Sequence, residues 1–234
     1  MNKNLTYLLV DFLCLFFPLL FSFYPKAPFY KQIKHFLLPC LISATAFIFW
    51  DMLFTKLGVW SFNSKYVTGI YFFNLPIEEV LFFLFIPYAC VFTFFAVNIS
   101  KKLTFNHSNA IIFSWILALG LLLVALVNFQ KLYTSVTFFL ASGLLFYHAI
   151  KKTNYMATFY ISFVFILIPF FIANGILTGS FIDEPVVIYN NNENLGIRMF
   201  TIPFEDTFYG MLLILLNVTL FQNRLSKTSA PLNA

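Results

Sequence analysis

Charge is scarce in this chain. Of its 234 residues only 10% are Asp, Glu, Lys or Arg, and just 9 are acidic, where a soluble domain carries about 25% charged residues. That scarcity excludes a well-solvated globular surface. Cysteine is as thin: Cys14, Cys40 and Cys90 fall in three separate apolar stretches without metal-ligand spacing, so they read as apolar filler and not as a disulfide framework. His35, His107 and His148 form no HxxxH or HxxHH box, which argues against a membrane di-iron hydroxylase, ketolase or desaturase. Also absent are a GxGxxG dinucleotide fingerprint, a GxxxxGK(S/T) phosphate loop, a GxSxG elbow and a DDxxD-like magnesium motif. No metal and no cofactor is expected. The net charge of +5 comes from dispersed basic residues that form no patch interleaved with aromatics, so no nucleic-acid partner is expected either.

What the chain has in abundance is apolar surface: 61% of residues are hydrophobic and the mean hydropathy is +0.86. A spanning helix needs about 20 mostly apolar residues, and seven stretches qualify: 5 to 24, 36 to 57, 77 to 98, 110 to 129, 132 to 150, 156 to 178 and 205 to 222. The N-terminus, from Met1 through this first stretch, has a lysine and an apolar run like a signal peptide, but it lacks a small-x-small cleavage site and carries Asp11, so it reads as the first membrane helix. The basic residues then divide 9 against 5 between the two membrane sides, Lys26, Lys101 and Lys151 on the richer one and Lys3, Lys65 and Arg198 on the poorer. That bias predicts an outside N-terminus and a cytoplasmic C-terminus.

GIYFFNLPIEEVLFF (69 to 83) is echoed by GIRMFTIPFEDTFYG (196 to 210), pairing Gly69 with Gly196, Pro76 with Pro203, Glu78 with Glu205 and Glu79 with Asp206. The chain is a duplication. Upstream, WDMLFTKLG faces ANGILTG once a four-residue difference in loop length is allowed, so that Asp51 corresponds to Asn174. The expected architecture is an all-α membrane protein in which two parallel three-helix repeats, residues 1–109 and 130–234, are joined by a linker helix, 110–129. A shift of four helices puts both motifs on one membrane side. The connections are longest there, and the one carrying Asp183, Glu184 and the polar run 189 to 194 reads most simply as a solvated loop.

Pro76 and Pro203 each precede an apolar run, which places the paired acids in a first helical turn. Acids there can merely cap the helix dipole, at roughly 0.3 to 1 kcal/mol each, but capping does not call for two acids twice. Asp11 and Asp51 fall toward the same side, so all six acids share one depth zone, and ionisable groups in a bilayer by default mark a functional site. Few basic residues are near enough to neutralise them. Burial and a like-charged neighbour both favour the neutral, proton-donating form of a carboxyl, while an adjacent carboxylate can accept a proton or stabilise a cation. The six acids Asp11, Asp51, Glu78, Glu79, Glu205 and Asp206 are the candidate acid and base residues. Aromatic faces attract cations, which makes Phe73, Phe82, Phe200, Phe204 and Phe208 candidate walls, with Asn174 beside them.

The duplicated Pro-x-Glu-(Glu/Asp) signature, Pro76-Ile77-Glu78-Glu79 and Pro203-Phe204-Glu205-Asp206, resembles that of the integral-membrane lycopene cyclases of archaea, fungi and some bacteria. The resemblance extends over nearly the whole chain and includes WDMLFTKLGVW before the first motif. It implies conversion of linear lycopene ends to β-ionone rings: a carboxyl protonates the terminal double bond, the next double bond attacks the carbocation, and a ring proton leaves, with no net redox change. It further implies Glu78 and Glu205 as leading acid/base groups, a lipid-soluble carotenoid substrate that enters sideways from membrane lipid, and other carotenoid-pathway enzymes as candidate partners. Two alternatives stay open. A proton-coupled transporter shares the parallel three-helix repeats, although its Pro-Gln pair is absent. A carotenoid hydratase would let water capture the same carbocation, and exclusion of water alone separates the two outcomes.

Overall fold

The structure, a computed structural model, describes residues 3–229. Its framework is seven helices: α1 (Thr6–Phe21), α2 (Ile33–Lys56), α3 (Ile77–Ser100), α4 (His107–Val127), α5 (Leu132–Lys151), α6 (Met156–Leu177) and α7 (Phe204–Ser229). Each is long and apolar enough to cross a bilayer, and in hydrocarbon only a helix or a closed barrel satisfies its own backbone. Residues 1–2 and 230–234 of the two expected units lie outside the described residues.

Large apolar side chains face outward along the helices, among them Phe16, Phe49, Ile116 and Val127, as lipid contact allows. Polar ones turn inward: Asp11, Ser43, Glu78, Ser114, Glu205 and Asn217 are all inaccessible to solvent. That inversion of the soluble pattern fits a multi-pass integral membrane protein.

Within each unit the first helix packs on the third, α1 on α3 and α5 on α7, and each second helix crosses to the other unit's third, α2 to α7 and α6 to α3. The α4 linker packs outside, on α5 and α6. Two tandem repeats related by an approximate twofold axis result, with α3 and α7 in contact near it.

The sequence places no strand, yet six short ones form at the motif side. Three are in the first unit, β1 (Trp60–Phe62), β2 (Tyr71–Phe72) and β3 (Leu75–Pro76), and three in the second, β4 (Val187–Tyr189), β5 (Arg198–Met199) and β6 (Ile202–Pro203). Strands β2 and β3 make a hairpin, as do β5 and β6, while β1 pairs with β4 across the units with Ser61 opposite Ile188. The motif spacing carries Ser61 onto Ile188, so the pseudo-twofold axis passes through this pair. Pro76 sits at the N-cap of α3, extended at φ −63° and ψ 148°, which leaves both glutamates in the first turn.

The long connections are therefore only partly solvated. Asp183 and Glu184 are exposed and pair with Lys3 at 2.6 Å and Lys65 at 2.7 Å. Val186, Val187 and Asn194, however, are buried, and so are Trp60 and Tyr66. The strand pair β1·β4 supplies the backbone hydrogen bonds that let these segments fold inward, which a purely local reading of a polar run does not reveal.

Candidate active site

The two motif loops share their backbone framework. Gly69 and Gly196 take φ of 84° and 74°, a left-handed geometry open to glycine at little cost. The Ile70 carbonyl then accepts the Ile77 N–H at 2.9 Å, and the Ile197 carbonyl accepts the Phe204 N–H at 3.0 Å. The first acid of each motif closes its own loop: Glu78 accepts the Thr68 N–H and Glu205 the Leu195 N–H, both at 2.7 Å. Glu205 also accepts the Thr134 hydroxyl at 2.6 Å.

The second acid of each motif points elsewhere. Glu79 accepts the Tyr7 phenol and Asp206 the Tyr133 phenol, each at 2.5 Å, so equivalent first helices deliver equivalent tyrosines. Asp206 takes two more donors, the Asn174 amide at 2.8 Å and the Tyr189 phenol at 2.9 Å. Three donors and no acceptor suit an ionised carboxylate. On the first unit's side the pattern is poorer in donors: among the described residues neither Asp11 oxygen has a partner, and Asp51 leaves its Oδ2 without one. Burial lifts the Tyr189 phenol well above its ordinary pKa, and the nearby Asp206 lifts it further, so Tyr189 remains a neutral donor.

These groups meet in one cavity of about 470 Å³, whose walls include Asp11, Asp51, Glu79 and Asp206. Four of the six membrane acids thus converge on a single space. Glu78 and Glu205, the leading candidates from the sequence, do not line it; both are fully buried behind it. Asn174 and Phe82 do line it. Phe204 and Phe208 instead pack edge-to-face with Phe138, at centroid distances of 6.4 and 5.2 Å.

Phe73 and Phe200 are not cavity walls. They sit at the tips of the two hairpins, with φ of 55° and 57°, and are 77% and 90% exposed. A two-residue turn forces them outward. The aromatic lining includes Trp60, Tyr133, Tyr189 and Tyr209, with Trp60 and Tyr133 centroids 5.1 Å apart and Tyr133 stacked on Tyr189 at 5.8 Å. Sequence reasoning missed Tyr7, Tyr133 and Tyr189. The signal for the first two was a tyrosine in the opening turn of the first helix of each repeat.

Over the cavity lies β1·β4, which contributes Trp60, Phe62, Val187 and Tyr189 to its lining. Cys14 and Cys90 also face it and, like Cys40, are free thiols. Among the described residues no three of His, Cys, Asp or Glu are grouped to hold a metal ion.

Six of the seven spanning helices form two tandem units joined by α4, around a largely apolar cavity that four carboxyl groups line, which defines a multi-pass membrane protein. The lycopene cyclase family model matches residues 4–97 and again 130–223, and the chain belongs to that family. Neither the curated proteins nor the solved structures searched contain a match.

Proposed function

We propose that the protein is a lycopene β-cyclase: it isomerises the linear ends of lycopene to β-ionone rings by protonation, carbocation cyclisation and deprotonation. The observation that carries this reading is the convergence of Glu79 and Asp206, the second acids of the two motifs, on one cavity walled by aromatic and aliphatic side chains. Such a space accepts a polyene end and little that is polar.

The donor pattern divides the labour. A carboxyl of the Asp11, Asp51 and Glu79 face delivers its proton to the terminal double bond, which becomes a tertiary carbocation. The next double bond attacks it, closing the ring and moving the positive charge to a ring carbon. Asp206, held ionised by Tyr133, Tyr189 and Asn174, stabilises the cation and accepts the ring proton, which returns to the donor carboxyl before the next turnover. One proton enters and one leaves, so the product is an isomer and no oxidant or reductant is consumed. Trp60 and the three tyrosines offer ring faces to the passing charge. Glu78 and Glu205 act as positioning residues, fixing the turns that aim their neighbours.

The β1·β4 lid supports cyclisation over hydration, because water admitted to the cavity would capture the cation before the proton is lost. The substrate is a lipid-soluble carotenoid taken from the membrane, and the 9 to 5 basic bias favours an outside N-terminus. Expression in a lycopene-accumulating host with pigment analysis tests the reading. A bicyclic product is expected, and unchanged lycopene beside well-inserted protein would refute it.

A further inference from the structure

The cavity has a shape that its two-unit origin does not lead one to expect. At its head, under β1·β4, the lining residues come in related pairs from the two units: Tyr7 with Tyr133, Glu79 with Asp206, and Asp51 with Asn174. The head therefore straddles the pseudo-twofold axis. Away from the head the lining is one-sided. It runs between α1 and α6, past Leu13, Cys14 and Phe17 on one helix and Ile172 and Ile176 on the other. Leu13, Phe17 and Ile172 are more than half exposed, so this apolar leg opens sideways toward lipid.

The axis should generate a second leg between α5 and α2, and the corresponding space exists. A groove of about 790 Å³ is lined by Phe139, Leu140 and Gly143 of α5 and by Phe49 and Leu53 of α2, the counterparts of the five residues just named. No acid lines it. Between it and the head stands an aromatic wall. Trp50 and Phe47, which face the groove, pack on Tyr209, which faces the head, at centroid distances of 5.1 and 5.3 Å.

The alignment that pairs Asp51 with Asn174 pairs Trp50 with Ala173, which lines the open leg. An indole on one side thus corresponds to a methyl on the other. A second difference acts in the same direction. The open leg is lined by Pro18 of α1 and Pro169 of α6, each of which removes a helical hydrogen bond and loosens its turn. The closed groove has Leu144 and Ala46 at those positions.

We propose that Trp50 is the specificity-determining residue that makes the site single-mouthed: a polyene reaches the shared carboxyl head only through the α1/α6 leg, because Trp50 seals the α2/α5 leg that Ala173 leaves open on the opposite side. The proposal rests on the cyclase reading for the nature of the ligand and not for the geometry of the legs. Its consequence is that the two units, though built alike, never exchange roles. The chain end always arrives from one side and meets the Asp51 and Asn174 positions in a fixed orientation.

The test is a swap of the two side chains in the full-length protein. Lycopene is the probe, and the readout is pigment retained per protein after detergent purification, alongside turnover in the wild type. Ala173→Trp should cut retained lycopene at least tenfold, and adding Trp50→Ala to it should restore at least half, through the other leg. If Ala173→Trp does not accumulate, Cys14→Trp, alone and with Trp50→Ala, narrows the same leg from α1. Retention unchanged by the tryptophan, or a double variant that is inserted and thermally stable yet as empty as the single, overturns the proposal. Wild-type protein that retains lycopene without converting it removes the cyclase reading while leaving the leg assignment to be scored by retention. Wild-type protein that neither converts lycopene nor retains any pigment defeats both.

Discussion

The Asn174 amide donates to Asp206 at 2.8 Å, while the equivalent Asp51 in the first unit leaves its Oδ2 with no partner among the described residues. One substitution between the repeats, amide for acid, separates a carboxylate surrounded by donors from a carboxyl with an open oxygen. Reversing it should therefore harm the second unit more than the first. Asn174→Asp replaces a donor with a like charge beside Asp206 and is expected to lower turnover about 100-fold, a cost of about 3 kcal/mol. Asp51→Asn, which leaves Glu79 and Asp11 as proton sources, should cost about tenfold or less. Initial rates in detergent or vesicles check the ratio, and equal losses would place Asp51 on a par with Glu79 in the chemistry.

The two acids of each motif should respond differently to the same change. Glu79→Gln and Asp206→Asn are expected to reduce turnover by about 10²- to 10⁴-fold, the usual contribution of a positioned acid or base, with thermal stability little changed. Glu78→Gln and Glu205→Gln keep a carbonyl oxygen for the Thr68 and Leu195 N–H groups, so most activity should survive. Glu78→Ala strands the Thr68 N–H and should lose about 1 to 3 kcal/mol of stability. Thermal melts and pigment assays on the same preparations separate these outcomes. An inactive, fully folded Glu78→Gln would return the first acid to the chemistry.

Tyr7 and Tyr133 hold Glu79 and Asp206 from equivalent helices. Removing either phenol deletes one hydrogen bond to a charged or shared-proton group, worth about 1.5 to 3 kcal/mol. Tyr7→Phe and Tyr133→Phe should thus each lower turnover about 10- to 100-fold. Tyr133→Phe should do so chiefly through kcat, since the ring remains as cavity wall. A change confined to KM would mean that the phenol only shapes the pocket.

Phe73 and Phe200 occupy left-handed turns and face outward. Asparagine tolerates that conformation better than phenylalanine, so Phe73→Asn and Phe200→Asn should leave turnover per folded protein unchanged and the melting temperature equal or higher. Phe82→Ala, at a residue that does line the cavity, should weaken substrate binding several-fold. Loss of activity in the hairpin variants would restore those rings to the binding surface.

The helices, the duplication and the acidic motifs could all be read along the chain, because each rests on local properties. Twenty apolar residues must span a bilayer whatever lies beside them, and the expected span 77 to 98 meets α3 at Ile77–Ser100. The repeated Gly, Pro and acid positions set the turn geometry by themselves, and the two loops came out alike for that reason.

Which acid of each pair faces the cavity was not written locally, since both occupy the same helical turn and only the packing of α1 on α3 and of α5 on α7 distinguishes their sides. The strand pair β1·β4 joins segments 127 residues apart, and such a pairing exists only once the two units are docked. Docking likewise turned Tyr189 from a polar loop residue into a ligand of Asp206, and set Trp50 against Tyr209. Chain composition and repeat pattern thus specified a seven-helix membrane protein with two tandem acidic motifs. The single shared chamber, its polar lining and its one open side arose from contacts between the halves, where small differences such as Trp50 against Ala173 act on a common space.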